Sequence, residues 1–295
     1  MRAARQQMCI HLSVPEDLVL EWIADEEAQP GYLLSETVLT NIIDLYELAL
    51  RDRVSLIMWQ RYIDFIASLA RSKDTDVQDT ATAVLGSGDG ILLVLRRAID
   101  ATYTHYLQSQ ALWSQYCDYI EQNIAQAANK DRNELIELLQ AVFLERLAQP
   151  HTGLEDTFAM YSEFTTKYNE AHYEQQMVEA NKMVSNTRAQ CKLRDSFEDS
   201  LINSEGSWYA YAQYIDRLAK DKRTNPNEIS MLYERALVYN CYIAEIWTEY
   251  ISYLDGAFDD KSIALKTAHR AIRNCPWSGK LWAHTIHFTF VQAGK

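Results

Sequence analysis

The chain has 295 residues, 48% of them hydrophobic and 23% charged, which excludes wholesale disorder and leaves room for a large buried core. With 41 acidic against 28 basic residues the formal charge is −13, which excludes nucleic-acid binding by bulk charge; phosphate contacts need a local group of Lys and Arg. Nine Gly and five Pro are sparse for this length and disfavour a β-rich or loop-rich fold, so the composition predicts an all-α protein.

Five cysteines, an odd number with no Cys-x-x-Cys pair, suit neither a disulfide framework nor a zinc site and predict a reducing compartment. The start carries no apolar signal segment. The longest apolar run, Ile91 to Leu95, is far short of the roughly 20 residues that span a bilayer. A soluble, intracellular protein with no membrane partner is the expectation.

Along the chain, Ser13 followed by Glu16, with Pro15 between them, reads as a capping-box helix start. That helix carries Leu18, Trp22 and Ile23 and ends at Pro30-Gly31. A second helix starts near Ser35, and Val38, Ile42, Leu45, Tyr46 and Ala49 give it one apolar face. Trp59 and Tyr62 open the next. Residues 71–90, rich in Ser, Asp, Thr and then Gly86, Gly88 and Gly90, read as an inter-repeat loop. Arg97-Ala98-Ile99, then Trp113 and Tyr116, resume the pattern; a helix over Glu134 to Arg146 stops at Pro150, and Phe158 and Tyr161 take the Trp and Tyr places. Residues 167–205 are polar and irregular, and predict long helices with a thin apolar stripe, bent near residue 186.

The clearest stretch is Ser207 to Trp282. Trp208 and Tyr211 open one helix, Leu232-Tyr233-Glu234-Arg235-Ala236-Leu237 lies in the next, and Trp247 and Tyr250 open a third. Trp247 follows Ala236 by 11 residues and Trp282 follows Ala271 by 11. A recurring offset of this kind is the mark of stacked helical hairpins. Residues three apart share a helix face, so each Trp-x-x-Tyr pair places two rings between successive helices, and the small Ala lets the paired helix approach.

Trp-x-x-Tyr followed by Glu-Arg-Ala-Leu resembles the half-a-TPR (HAT) repeat, a TPR-like all-α motif of RNA-processing factors. Tyr233-Glu234-Arg235-Ala236-Leu237, Asn240-Cys241 and, above all, Arg270 to Trp277 with Leu281-Trp282 resemble the HAT domain of the U4/U6 snRNP recycling factor family, that of the squamous cell carcinoma antigen recognised by T cells. This closer match covers roughly 207–282. The resemblance implies a right-handed α-solenoid of about six hairpins. It further implies a non-catalytic scaffold of the spliceosome in the nucleus, acting in mRNA splicing. Its partners would be snRNP or splicing proteins, with U6 or U4/U6 RNA held by RNA-recognition domains downstream. The chain is expected to be one HAT-repeat domain over 1–295, the N-terminal part of a longer protein and a monomer, with irregular segments at 71–90 and 167–205. Two departures stand out: Trp22 has Asp25 where Tyr is expected, and Trp282 has Thr285.

The structural set is therefore Trp59, Tyr62, Trp113, Tyr116, Trp208, Tyr211, Ala236, Trp247, Tyr250, Ala271 and Trp282, read as core rather than as a base-stacking platform. From Lys261 onward the chain holds basic residues and no acid, so Lys261, Lys266, Arg270, Arg273 and Lys280, with Trp277 in a turn, are the candidate partner- or RNA-binding residues, against the plain alternative of a solvated face. His284 and His287 lack a third ligand for a metal, and no nucleophile, acid-base pair or phosphate loop can be assembled, so neither cofactor nor catalysis is expected. Two other readings stay open: a HAT scaffold of mRNA 3′-end or pre-rRNA processing, and a TPR-like adaptor that captures peptide carboxylates with Lys and Arg.

Overall fold

A computed structural model describes residues 2–86 and 90–294. Among them are fifteen α-helices, two single-turn 3-10 helices (Tyr32–Leu34 and Glu170–His172) and no strand. The helices are α1 (Arg2–His11), α2 (Glu16–Glu27), α3 (Glu36–Asp52), α4 (Leu56–Ala70), α5 (Thr75–Leu85), α6 (Gly90–Thr102), α7 (Gln110–Gln126) and α8 (Asn129–Ala148). They continue as α9 (Leu154–Tyr168), α10 (Tyr173–Asn203), α11 (Trp208–Ala219), α12 (Pro226–Asn240), α13 (Ala244–Ala257), α14 (Lys261–Asn274) and α15 (Gly279–Ala293). The fold is the expected all-α solenoid class: α2 packs on α3, α4 on α5, α7 on α8, α9 on α10, α11 on α12 and α13 on α14, six hairpins with α6 between the second and the third. No described helix is long and apolar enough to cross a membrane.

Two compact units make up the chain, one of Met1–Gly88 with Gly206–Lys295, the other of Asp89–Glu205. In the first, the repeat residues form the core: Trp59, Tyr62, Tyr211, Ala236, Trp247, Tyr250 and Ala271 are all buried. Burying a large apolar side chain contributes roughly 1.5–3 kcal/mol, so these positions dominate the packing energy of each hairpin. The same local geometry occurs twice. Tyr46 stacks on Tyr62 with ring centres 5.0 Å apart and planes 13° from parallel, and Tyr233 stacks on Tyr250 at 4.9 Å and 15°. The matching Leu-Tyr-Glu runs at 45–47 and 232–234 produce it, because each places a Tyr facing the next helix and a Glu one residue on.

Helix ends follow the local sequence. Ser35, Ser55 and Ser207 cap α3, α4 and α11 by accepting from the backbone N–H three residues on. Asn240 and Asn274 each return a side-chain N–H to the carbonyl four residues earlier, at 3.0 and 2.9 Å, and close α12 and α14 in the same way. Between α10 and α11, Glu205 and Gly206 both have positive φ, 52° and 70°, the left-handed region that favours glycine.

The second unit buries Trp113, Tyr116, Phe143, Tyr161 and Phe164. Arg146, 1% exposed, lies over the Trp113 ring at 5.1 Å and donates to Gln110 Oε1 at 3.1 Å and the Tyr103 carbonyl at 3.4 Å. Burial lowers its pKa to about 9, so it remains a cation packed among neutral groups.

Several expectations are corrected. Ser13 does not cap α2: Pro15 occupies the N-cap position, the Ser13 hydroxyl is buried without a partner, and its backbone N–H turns to the Arg273 carbonyl. Residues 71–90, expected as a loop, contain α5; Asp74 caps it and Val77 and Ala81, four apart, give it an apolar contact that a count of polar residues hides. Gly88 lies outside the described residues. The stretch 167–205 is mostly one helix, α10, which runs unbroken through residue 186. Of its buried residues Ala180, Val184 and Leu201 are apolar but Thr187, Arg194 and Glu198 are not, so the expected apolar stripe is only half present. Trp208 is half-buried and Trp282 is 44% exposed, unlike the other repeat aromatics. Trp247 lies under Arg270 of the following helix at 5.5 Å, whereas no described helix follows α15 to cover Trp282.

Candidate partner-binding surface

The basic residues of α14 and the turn after it divide into two groups, because a helix presents residues three or four apart to one face and the rest to another. Arg270 and Arg273, three apart, point inward. Arg270 holds Glu234 with both Nη atoms, at 2.7 and 2.6 Å, and its Nε and Nη2 reach the Asp52 backbone carbonyl at 3.2 and 3.1 Å. Arg273 holds the Asp52 carboxylate, Nε at 3.2 Å and Nη2 at 2.8 Å. It also donates to the carbonyls of Cys9, Ile10 and Leu12 at 2.8, 3.3 and 2.8 Å. With five N–H donors of Arg273 and four of Arg270 given to carboxylates and carbonyls, neither guanidinium is presented to RNA or a peptide. They join α14 to α12, α3 and the end of α1, which corrects the expectation that they face a partner.

The electrostatics agree. Burial alone would lower the Arg270 pKa, but the charge and hydrogen bonds of Glu234 outweigh it and hold the guanidinium more firmly ionised than usual. The Tyr250 hydroxyl, which donates to Glu234 Oε1 at 2.9 Å, is pushed well above its ordinary pKa by burial first and by the Glu234 charge second. Asp52 and Glu234 are the two residues of this cluster that the sequence reading missed. Glu234 had a signal, its equivalence with Glu47 in the repeated Leu-Tyr-Glu; Asp52 had none.

The second group faces solvent. Lys266, Trp277 and Lys280 are exposed, Trp277 to 68%. Lys261 is partly drawn in by Asp255, whose carboxylate it meets at 3.0 Å and whose carbonyl it also contacts. Trp277 sits in the turn between α14 and α15. The adjoining Pro276 carbonyl accepts the Trp282 indole N–H at 2.9 Å, the same six-residue latch that Trp247 makes with the Cys241 carbonyl at 2.8 Å. That latch fixes the turn and leaves the Trp277 ring outside. His284 and His287 are not joined by a further ligand: no group of three or more His, Cys, Asp or Glu able to hold a metal occurs among the described residues.

Comparison with known proteins gives a consistent result. A Homo sapiens protein named spliceosome associated factor 3, U4/U6 recycling protein, is 30% identical over 287 residues, 97% of this chain and 27% of its own length. Proteins of the same name from Mus musculus and Caenorhabditis elegans are 29% and 25% identical, over 97% and 63% of this chain. The chain thus spans about a quarter of the length of these relatives. Among solved structures, the crystal structure of CSTF-77 superposes on 88% of this chain, and this chain on 51% of it, with a TM-score of 0.63 at 14% identity, a likeness of fold. The family model for Suppressor of forked protein (Suf) matches residues 34–289, and the chain belongs to the Suppressor of forked family.

Proposed function

We propose that residues 1–295 act as one HAT-repeat domain, the non-catalytic scaffold of a U4/U6 snRNP assembly or recycling factor in pre-mRNA splicing, working in the nucleus. The observation that carries this reading is the alignment of relatives named for U4/U6 recycling over 97% of this chain. The geometry supports a scaffold, because the repeated aromatic and small residues are spent on packing and the non-repeating exposed ones are left for partners. On this reading Lys266, Trp277 and Lys280, with Lys261 at their edge, contact a splicing protein, an exposed Trp being an effective anchor at such interfaces. U6 or U4/U6 RNA is held by other domains of the full protein, and this part works as a monomer without cofactor.

The test is to purify the tagged full-length protein from nuclear extract at moderate salt and sequence the small RNAs that accompany it. Enrichment of U6 and U4 RNA is expected, with loss of specific co-purifying proteins from a Trp277→Ala/Lys280→Glu variant. Enrichment of pre-rRNA or mRNA 3′ ends would instead support the other HAT assignments. Recovery of peptide-bearing partners without RNA would support the adaptor.

A further inference from the structure

Beyond the splicing reading, the second unit holds a polar cleft that the repeat does not require. It lies where α8 and α9 meet the start of α10 and encloses about 260 Å³. A shallower depression of about 630 Å³ adjoins it and shares His172 and Gln175. The size of the inner cleft suits one or two side chains rather than a folded surface.

Its chemistry is one-sided. Leu144 of α8 and Ala180 and Met183 of α10 supply an apolar floor, with Met183 at 36% exposure. Gln176, Ala180 and Met183 follow one another at helical spacing and so lie along one face of α10. The side-chain oxygen of Gln176, beside the cleft, is buried and accepts no hydrogen bond. Around the rim stand Glu170, Glu174 and Glu179, all exposed. Among the described residues none of the three makes an ion pair, and no Lys or Arg lines either hollow.

We propose that this cleft docks a short basic peptide segment: an aliphatic side chain seats against Leu144 and Met183, and flanking Lys or Arg side chains lie over Glu170, Glu174 and Glu179. The carboxylate rim repels RNA phosphate and selects a protein segment of opposite charge. The exposed rim contacts make the attraction salt-sensitive, while the aliphatic anchor sets which segment fits. This holds whether or not the chain works in splicing.

The test uses the whole chain and a fluorescein-labelled, acetylated peptide Lys-Lys-Leu-Leu-Arg-Lys, read by fluorescence anisotropy at 0.05 and 0.2 M salt. The wild-type chain should bind it, and Glu170→Lys/Glu179→Lys should weaken binding about tenfold, a loss of about 1.4 kcal/mol. Asp79→Lys/Asp259→Lys, the same change of net charge at exposed positions of the first unit, should leave binding within about twofold. The counterpart peptide Lys-Lys-Ser-Ser-Arg-Lys should bind at least about fivefold more weakly, having lost its anchor. Thermal melts establish that both double variants fold. The proposal is overturned by absence of binding to the wild type, by equal losses in the two double variants, or by equal affinity for the two peptides.

Discussion

Tyr250 donates its phenol hydrogen to Glu234 Oε1 at 2.9 Å, and Arg270 grips the same carboxylate with both Nη atoms. Tyr62 donates to Glu47 Oε1 at 3.1 Å in the equivalent place near the start of the chain, where Glu47 is half-buried. In the later copy the guanidinium of Arg270 shares the carboxylate of this repeated hydrogen bond.

Sharing its carboxylate makes Glu234 the more sensitive of the two partners. Glu234→Ala leaves Arg270 buried, with a side chain only 16% exposed and its carboxylate partner gone, and should destabilise the first unit by about 3–5 kcal/mol. Arg270→Met/Glu234→Leu removes both charges and should cost much less than Glu234→Ala alone. Urea unfolding of the single and double variants measures the difference; equal losses would show that the pair does not act as a unit.

Arg273 has a different role, since three of its acceptors are carbonyls of the segment around residues 9–12. Arg273→Ala should leave α14 folded and release α1. Hydrogen exchange of backbone amides in residues 2–13 should speed up at least about tenfold, with little change in α13. Uniform acceleration over the unit would contradict a local tether.

Repeat-equivalent tryptophans should respond unequally. Trp247 is 1% exposed and lies under Arg270, so Trp247→Ala should cost about 3–5 kcal/mol. Trp282→Ala, at 44% exposure, should cost well under half as much. Melting temperatures of the two variants decide it.

His151 sets a pH dependence in the second unit. Burial first and the Arg146 charge second lower its pKa to about 4, while its ring bonds the Gln149 carbonyl at 2.8 Å and Thr157 at 3.0 Å. Between about pH 4 and the ordinary His value near 6.5 the unfolded chain binds a proton that the folded chain refuses. Stability should therefore fall as pH drops through that window and be fully present above it. His151→Gln should flatten this part of the curve in urea titrations run at half-unit steps of pH; an unchanged slope would assign it to other groups.

Which parts were legible follows from the range of the interactions. Trp247, Tyr250 and Ala236 can be read from the chain because hairpin packing acts over a few tens of residues and leaves a recurring offset. The buried face of α10 is only half legible, because Thr187, Arg194 and Glu198 share it with apolar residues. Arg270 and Arg273 looked like a free basic face because their neighbours in sequence are not acidic; their partner Asp52 is 218 and 221 residues away, and no periodicity encodes it. The α5 helix was hidden by its polar composition, since only two buried residues hold it. The cleft beside α10 left no mark either, because it is made where α8 and α9 meet the start of α10 rather than by a motif.

The Asp52 joint also sets a timetable. Asp52 leaves the ribosome more than 200 residues before Arg273 is made, an interval of roughly 10–45 s at ordinary rates of synthesis. For that time the carboxylate and the carbonyls of Cys9, Ile10 and Leu12 have no Arg273 guanidinium to meet, and the whole intervening second unit is synthesised within it. The discontinuous unit is therefore begun first and finished last, and a nascent chain stalled before Arg270 would carry an open N-terminal segment exposed to chaperones and proteases.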